Sequence, residues 1–330
     1  MSDIKKEKDF LAGMKSRMQK FQVFAGLLLL CLIFSVATPN FLQVRNVMNV
    51  LNQASVNCLL SMGVLLAILT GGNDLSTGAN LALSSMLVAI AIKSWGMHPL
   101  LGVLLGLGTG AVIGVINGFM LTKMHMPHPF ISTLGMQNVA RGLALIVTGA
   151  APVSSFPSSV QFLGSGMVGK VPVSILFVAA VAGIFYVFLN RTAIGKHIYA
   201  IGGNPEAARL SGINIDKTLL IVYTLCGFMA ALGGIVQMGR VDSAFPLAGT
   251  GYELNAVASV IIGGASMKGG SGTVSGTLIG AMIIAVLNNG LNLLHVSTYA
   301  QQIALGLVII GAVYVDVLRE RLGIRVKGRK

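Results

Sequence analysis

Apolar residues run through this chain in long blocks, separated by short breaks marked by glycine, proline or polar residues. A bilayer core about 30 Å thick takes roughly 20 apolar residues per helix. On that ruler the pattern predicts ten spans, at about 21–38, 48–70, 75–93, 99–121, 129–149, 171–190, 218–238, 253–267, 273–293 and 298–317. The fold class that follows is an all-α polytopic membrane protein. A segment 1–20 precedes the transmembrane domain 21–317 and a tail 318–330 follows it.

Two blocks break the apolar rule. The second contains Asn49, Asn52, Gln53 and Asn57, and the eighth begins with Glu253 and Asn255. Such groups cannot face lipid cheaply, so both helices should lie against protein or a water-filled route. Both blocks end in a glycine pair, Gly71-Gly72 and Gly263-Gly264, followed by a polar turn and a helix of small residues. That echo suggests a loose internal duplication with both copies facing the same way. Gly102, Gly106, Gly110 and Gly114 recur every four residues on one face of the fourth block, a spacing that permits close helix approach.

Composition agrees with the pattern. Apolar residues make up 54% and charged residues 10% of the 330, against about 25% charged in a globular protein. A soluble enzyme, a disordered chain and a disulfide-stapled domain are excluded. The net charge of +13 fixes a direction rather than a nucleic-acid partner, since no aromatics are interleaved and no soluble domain carries a basic face. Lysines and arginines concentrate at 1–20 and in the last dozen residues. Basic residues mark the cytoplasmic side, so both termini are expected inside. That threading puts inner loops at 71–74, 122–128, 191–217 and 268–272, and leaves only Arg45, Lys93, Lys170 and Arg240 outside. The first block follows a basic stretch as a signal peptide would. Further spans follow it, so an uncleaved signal anchor is expected.

Several motifs lead nowhere chemically. Gly164-Ser-Gly-Met-Val-Gly-Lys170 matches a dinucleotide fingerprint and most of a P-loop, but Val171 and Pro172 stand where a P-loop needs Ser or Thr. A turn is expected there. His125 and His128 lack the converging ligands a metal requires. Cys31, Cys58 and Cys226 fall in apolar blocks as packing residues, without metal or disulfide spacing. No catalytic set and no metal or cofactor site is expected in this chain.

The loop 191–217 is the longest inner one and carries a compact helix signal. Asn204 can cap, Pro205 suits the first helical position, Glu206 faces the positive helix end and Gly212 can terminate. A helix of about two turns, Pro205 to Ser211, is marginal alone in water. It docks either on the protein's own membrane face or on a cytosolic partner.

The same loop resembles a family. Ile201-Gly-Gly-Asn-Pro-Glu-Ala-Ala-Arg-Leu-Ser-Gly-Ile213 is similar to the loop of permease subunits in bacterial ABC importers for monosaccharides, the ribose/galactose/xylose/allose group. Gly71-Gly-Asn-Asp-Leu-Ser-Thr-Gly78, Ile116-Asn-Gly118, Pro129-Phe-Ile-Ser-Thr-Leu-Gly135, Gly251-Tyr-Glu-Leu-Asn-Ala-Val-Ala-Ser-Val-Ile-Ile-Gly-Gly264 and Gly269-Gly-Ser-Gly-Thr-Val-Ser-Gly-Thr277 follow in family order. Asn73, Thr77 and Asn255 depart from the usual residues, which leaves the sugar open.

The resemblance implies a bacterial cytoplasmic (inner) membrane protein working with a second permease subunit, cytosolic ABC ATPases and a periplasmic sugar-binding protein. ATP and Mg²⁺ would bind the ATPase, not this chain. It also implies that Asn204, Pro205, Glu206, Ala207, Ala208, Arg209, Leu210, Ser211 and Gly212 form the coupling helix that the ATPase grips. Sugar is neutral, so amides are the natural lining for its path, with Asn57, Asn73, Asn117, Gln137, Asn138 and Asn255 as candidates; helix-to-helix hydrogen bonds are the competing use for each. Asp74 can accept backbone N–H groups at the start of the third helix. Arg141 lies within the fifth block and needs a partner there, for which Asp74 is a candidate. The rival reading is an ion-coupled secondary transporter, whose membrane-embedded acids could only be Asp74 and Glu253.

Overall fold

The computed structural model describes residues 23–321; the segment 1–20 and all but the first residues of the tail 318–330 lie outside them. Helices occupy every predicted block. They are α1 (Val23–Ala37), α2 (Val44–Leu69), α3 (Thr77–Lys93), α4 (Pro99–Thr122), α5 (Pro129–Thr148), α6 (Ser158–Ser165), α7 (Val173–Arg191), α8 (Ala193–Gly203), α9 (Pro205–Leu210), α10 (Ile215–Val241), α11 (Tyr252–Ile262), α12 (Val274–Leu293) and α13 (Thr298–Arg321).

Not all of the ten expected spans are helices of full membrane length. Among the described residues 7 helices are long and apolar enough to cross: α2, α4, α5, α7, α10, α12 and α13. Helices α1, α3 and α11 are shorter, and α11 has only 11 residues. At 1.5 Å per residue it covers about 16 Å, half a bilayer core. The expected span 253–267 is therefore a half-helix. Its chain stops at the Gly263-Gly264 pair, where Gly264 adopts φ +90° and Ala265 N–H bonds back to the Val260 carbonyl at 3.1 Å. The stretch that follows is apolar without being helical.

The end of α2 is built the same way. Gly71 adopts φ +81°, and Gly72 N–H reaches the Ala67 carbonyl at 3.0 Å. Both turns close the helix with a left-handed glycine, the first of the pair after α2 and the second after α11, so the shared geometry is one residue out of step with the sequence echo. The connection expected as an inner loop at 71–74 is not surface chain throughout: Asp74, Leu75, Ser76 and Thr77 are all buried as the chain enters α3.

Helix α3 is buried on nearly every face, and α2 and α10 flank it at the centre of the bundle. The α4 glycines explain how tightly that centre closes. A Cβ at Gly106 would meet Val88 and the Ser84 carbonyl, and one at Gly114 would strike the Tyr223 carbonyl. The outward faces of α4, α5 and α13 expose large apolar residues such as Leu104, Ile146, Ile303 and Leu307, as lipid- or protein-facing helices do.

The loops sort to two ends. At one end Lys123 pairs with Asp216 at 3.4 Å, and Gly270 N–H bonds to the Leu69 carbonyl at 2.9 Å. This gathers the predicted inner loops 122–128, 191–217 and 268–272 on one face. At the other end, β1 (Val153–Ser154) pairs antiparallel with β4 (Ser243–Ala244), and β2 (Met167–Val168) with β3 (Val171–Pro172). The Gly-rich run 164–170 ends in that second hairpin, so the turn reading holds.

Candidate functional site

The loop 191–217 folds into two helices rather than one. Thr192 caps α8 by accepting the Gly195 N–H at 3.1 Å. Ile198 and Ile201 are buried, and the Tyr199 hydroxyl donates to the Gly272 carbonyl at 2.9 Å. Burial pushes the Tyr199 phenol up to about 12, so it stays a donor at neutral pH. Gly202 lies so close to the Leu69 carbonyl and Gly270 N that a Cβ would collide with both. Helix α8 is thereby seated, backbone on backbone, against the end of α2 and the turn before α12. Sequence reasoning missed it, although Ile194, Ile198 and Ile201 carried the signal at helical spacing.

Helix α9 follows the expected pattern. Asn204 Oδ1 accepts the Ala207 N–H at 3.0 Å, and Pro205 opens the helix. The helix ends at Leu210, with Ser211 as its C-cap and Gly212 at φ +80°. Ala208 is its one buried residue, whereas Leu210 is 82% exposed. Glu206 and Arg209 approach to 3.9 Å with exposed side chains, a pair worth little by itself. A short helix with an exposed leucine and two exposed charges thus projects from a rigid seat.

Polar groups inside the bundle fall into two clusters. In the first, Asp74 Oδ1 accepts the Ser76 N–H at 2.9 Å and its hydroxyl at 2.6 Å, while Asn117 Nδ2 donates to Ser76 Oγ at 2.8 Å. The Asn73 side chain accepts the Asp74 N–H, and its carbonyl accepts from Tyr223 at 3.3 Å. This network fixes the turn into α3.

The second cluster joins α5 to α11. Gln137 Nε2 donates to Glu253 Oε1 at 3.1 Å, and Glu253 Oε2 is buried beside Gly78 without a hydrogen-bond partner among the described residues. Arg141 Nη1 donates to the carbonyls of Pro246 at 2.6 Å and Ala248 at 2.7 Å. Among the described residues no ion pair joins Arg141 to Asp74. Its partners are main-chain oxygens of the stretch leading into α11.

The remaining path candidates separate by exposure. Asn57 donates to Ser259 Oγ at 2.8 Å, a bond between α2 and α11. Asn255 is half-buried, with its carbonyl accepting from Ser259. Asn138 is exposed on α5, bonded only to the Leu134 carbonyl of its own helix at 3.1 Å. The structure therefore brings Gln137 and Arg141 together but spreads the six amides over several environments.

A bundle of membrane-length helices, with a half-helix α11 inside it and a projecting capped helix at one end, is the architecture of a transport permease. The family described as branched-chain amino acid transport system / permease component matches residues 46–313, and the chain belongs to it. It is 45% identical to the ribose import permease protein of Bacillus subtilis (strain 168), over 91% of this chain and 93% of that one. The D-allose transport system permease protein of Escherichia coli (strain K12) is 40% identical, over 91% and 92% of the two chains. The galactose/methyl galactoside import permease protein of the same strain is 38% identical, over 90% and 94%. In fold, the chain is similar to a metal-chelate type ABC transporter solved in an inward-facing conformation, with TM-score 0.50 and 16% identity over 91% of this chain and 98% of that one.

Proposed function

We propose that this chain is the membrane-spanning subunit of an ATP-driven ABC importer that carries a monosaccharide across the bacterial cytoplasmic membrane. The observation that carries the reading is the seated α8 with its projecting α9, in a chain whose relatives are named as ribose, allose and galactose permeases. The chain pairs with a second permease subunit, receives sugar from an outer binding protein, and rests on cytosolic ATPases that bind ATP and Mg²⁺. Both its termini face the cytosol.

The geometry suggests how force is passed on. The ATPases grip Asn204 to Gly212. Closure of the ATPase pair on ATP displaces α9, and α8 transfers the shift through Gly202 to α2 and to the turn before α12. ATP biases the permease because it binds one arrangement of the assembly better than the other. Asn138 and Gln137 on α5, with Asn255 on α11, offer hydroxyl-compatible groups along the path; Asn57, Asn73 and Asn117 hold the helices that flank it.

Reconstitution tests this directly. Vesicles holding the permease, its ATPase and sugar-loaded binding protein should import sugar only with ATP, and the permease alone should import none. Uptake by the permease alone, driven by a proton gradient, would establish the ion-coupled alternative instead.

A further inference from the structure

At the end of the molecule away from α9, the start of α2 presents a wall of carboxamides. Asn40, Gln43, Asn46, Asn49 and Asn52, together with Arg45, line an open cavity of about 630 Å³. That volume lies within the range of about 300–1,000 Å³ typical of small-ligand sites. Met48 of α2, Met167 of β2, Pro172 of β3 and Leu293 at the end of α12 add apolar surface to the lining.

The amides are not alike. Asn46 exchanges side-chain hydrogen bonds with Asn289 at 3.0 Å, and Asn52 Oδ1 accepts the Ser174 hydroxyl at 2.8 Å. Gln43 donates to Asn40 at 2.7 Å. These bonds anchor the lining to α12, to α7 and to the loop before α2. Asn49 and Arg45 have no hydrogen-bond or ion-pair partner among the described residues, so their donors and the Asn49 acceptor are free for a guest.

The chemistry of the lining selects the guest. Each amide offers one acceptor and two donors, which suits hydroxyl groups that both give and take protons. Among the described residues no carboxylate lines the cavity to balance a cationic ligand, and one arginine among five amides is a weak anion site. The methionine, proline and leucine surface suits the C–H face of a saturated ring. We propose that this cavity is a reception site for a neutral polyhydroxyl ligand of monosaccharide size, taken up before it enters the path between helices. The proposal rests on the importer reading and adds a site that none of the six path amides occupies. It also accounts for the polar start of α2, where Asn49 and Asn52 line an open hollow.

Saturation-transfer NMR on the full chain in lipid nanodiscs, with D-ribose, D-allose and D-galactose as probes, tests the site without any partner. At least one sugar should receive saturation, and Asn49→Leu should weaken its binding about fivefold, the loss of one hydrogen bond to a neutral hydroxyl. Arg45→Gln, at an exposed position without a hydrogen-bond or ion-pair partner among the described residues, should act in the same direction with the melting temperature unchanged. No transfer to any of the three sugars, or binding unchanged in both variants, would overturn the site. So would variants that weaken docking of the sugar-free binding protein while sugar transfer stays intact, since the hollow would then be a protein dock. Uptake by the complete importer separates the two levels. Full ATP-driven import by both variants, with no direct binding, sinks the cavity and leaves the importer reading standing. No import by the wild-type assembly sinks the importer reading itself.

Discussion

Gly202 on α8 rests directly against the carbonyl oxygen of Leu69, the last residue of α2, with no room for a methyl group between them. Gly270 N–H bonds to that same carbonyl at 2.9 Å. One oxygen thus joins the loop 191–217, the end of a central helix and the turn before α12.

Gly202→Ala should therefore separate these three elements. Forcing a methyl into close-packed backbone costs about 1–3 kcal/mol, so the melting temperature should fall and ATP-driven uptake with it. Gly203→Ala is the matched control, because a Cβ there meets nothing within 4 Å. Equal behaviour of the two variants in a thermal-shift assay would contradict the seat.

Arg141 should be sensitive to its geometry more than to its charge partner. Arg141→Met leaves the Pro246 and Ala248 carbonyls unbonded at the entry to α11. Hydrogen bonds to a charged group contribute about 1.5–3 kcal/mol each, so transport should drop at least about tenfold, with partial recovery in Arg141→Lys. An Asp74→Arg/Arg141→Asp exchange should rescue nothing. Recovery in uptake measurements would mean that the two side chains meet after all.

Leu210 and Arg209 should matter only to assembly. Both project from α9, and Leu210 is 82% exposed. Leu210→Ala and Arg209→Glu should leave the melting temperature of the isolated permease unchanged. They should weaken co-purification of the ATPase about tenfold, the scale of an interface anchor worth more than about 1 kcal/mol. Undiminished co-purification would move the grip elsewhere.

Buried and exposed amides should part company. Asn117→Ala removes the bond to Ser76 in the Asp74 network, and a broken buried hydrogen bond costs about 1–3 kcal/mol. Its uptake should fall only in proportion to the folded fraction measured by size-exclusion chromatography. Asn138→Ala removes an exposed group bonded within its own helix, so any fall in its uptake should appear with stability unchanged.

Some of this was legible in the sequence, for local reasons. The length of an apolar block predicts a helix in lipid, and every block holds one. The cap and stop of α9 depend on Asn204, Pro205 and Gly212 alone, and all three stand as expected. The half-length of α11 was not legible, because hydropathy measures transfer to lipid and the non-helical residues after Gly263 include Ala265 and Met267. Arg141 was expected to seek a carboxylate because only side chains are visible in sequence. Main-chain carbonyls such as those of Pro246 and Ala248 have no letter of their own. The closest approach in the seat of α8 was hidden for the same reason, since at Gly202 it is backbone against the Leu69 carbonyl and Gly270 N.

That joint depends on its glycines and on Ile198, Tyr199 and Ile201 of α8, and on none of the exposed side chains of α9. If α9 is the proposed ATPase grip, its outer surface can then be rewritten to match a different motor while the linkage beneath is untouched. Grafting a foreign Glu206–Ser211 segment onto this frame would retune which engine drives it and leave the gearing intact.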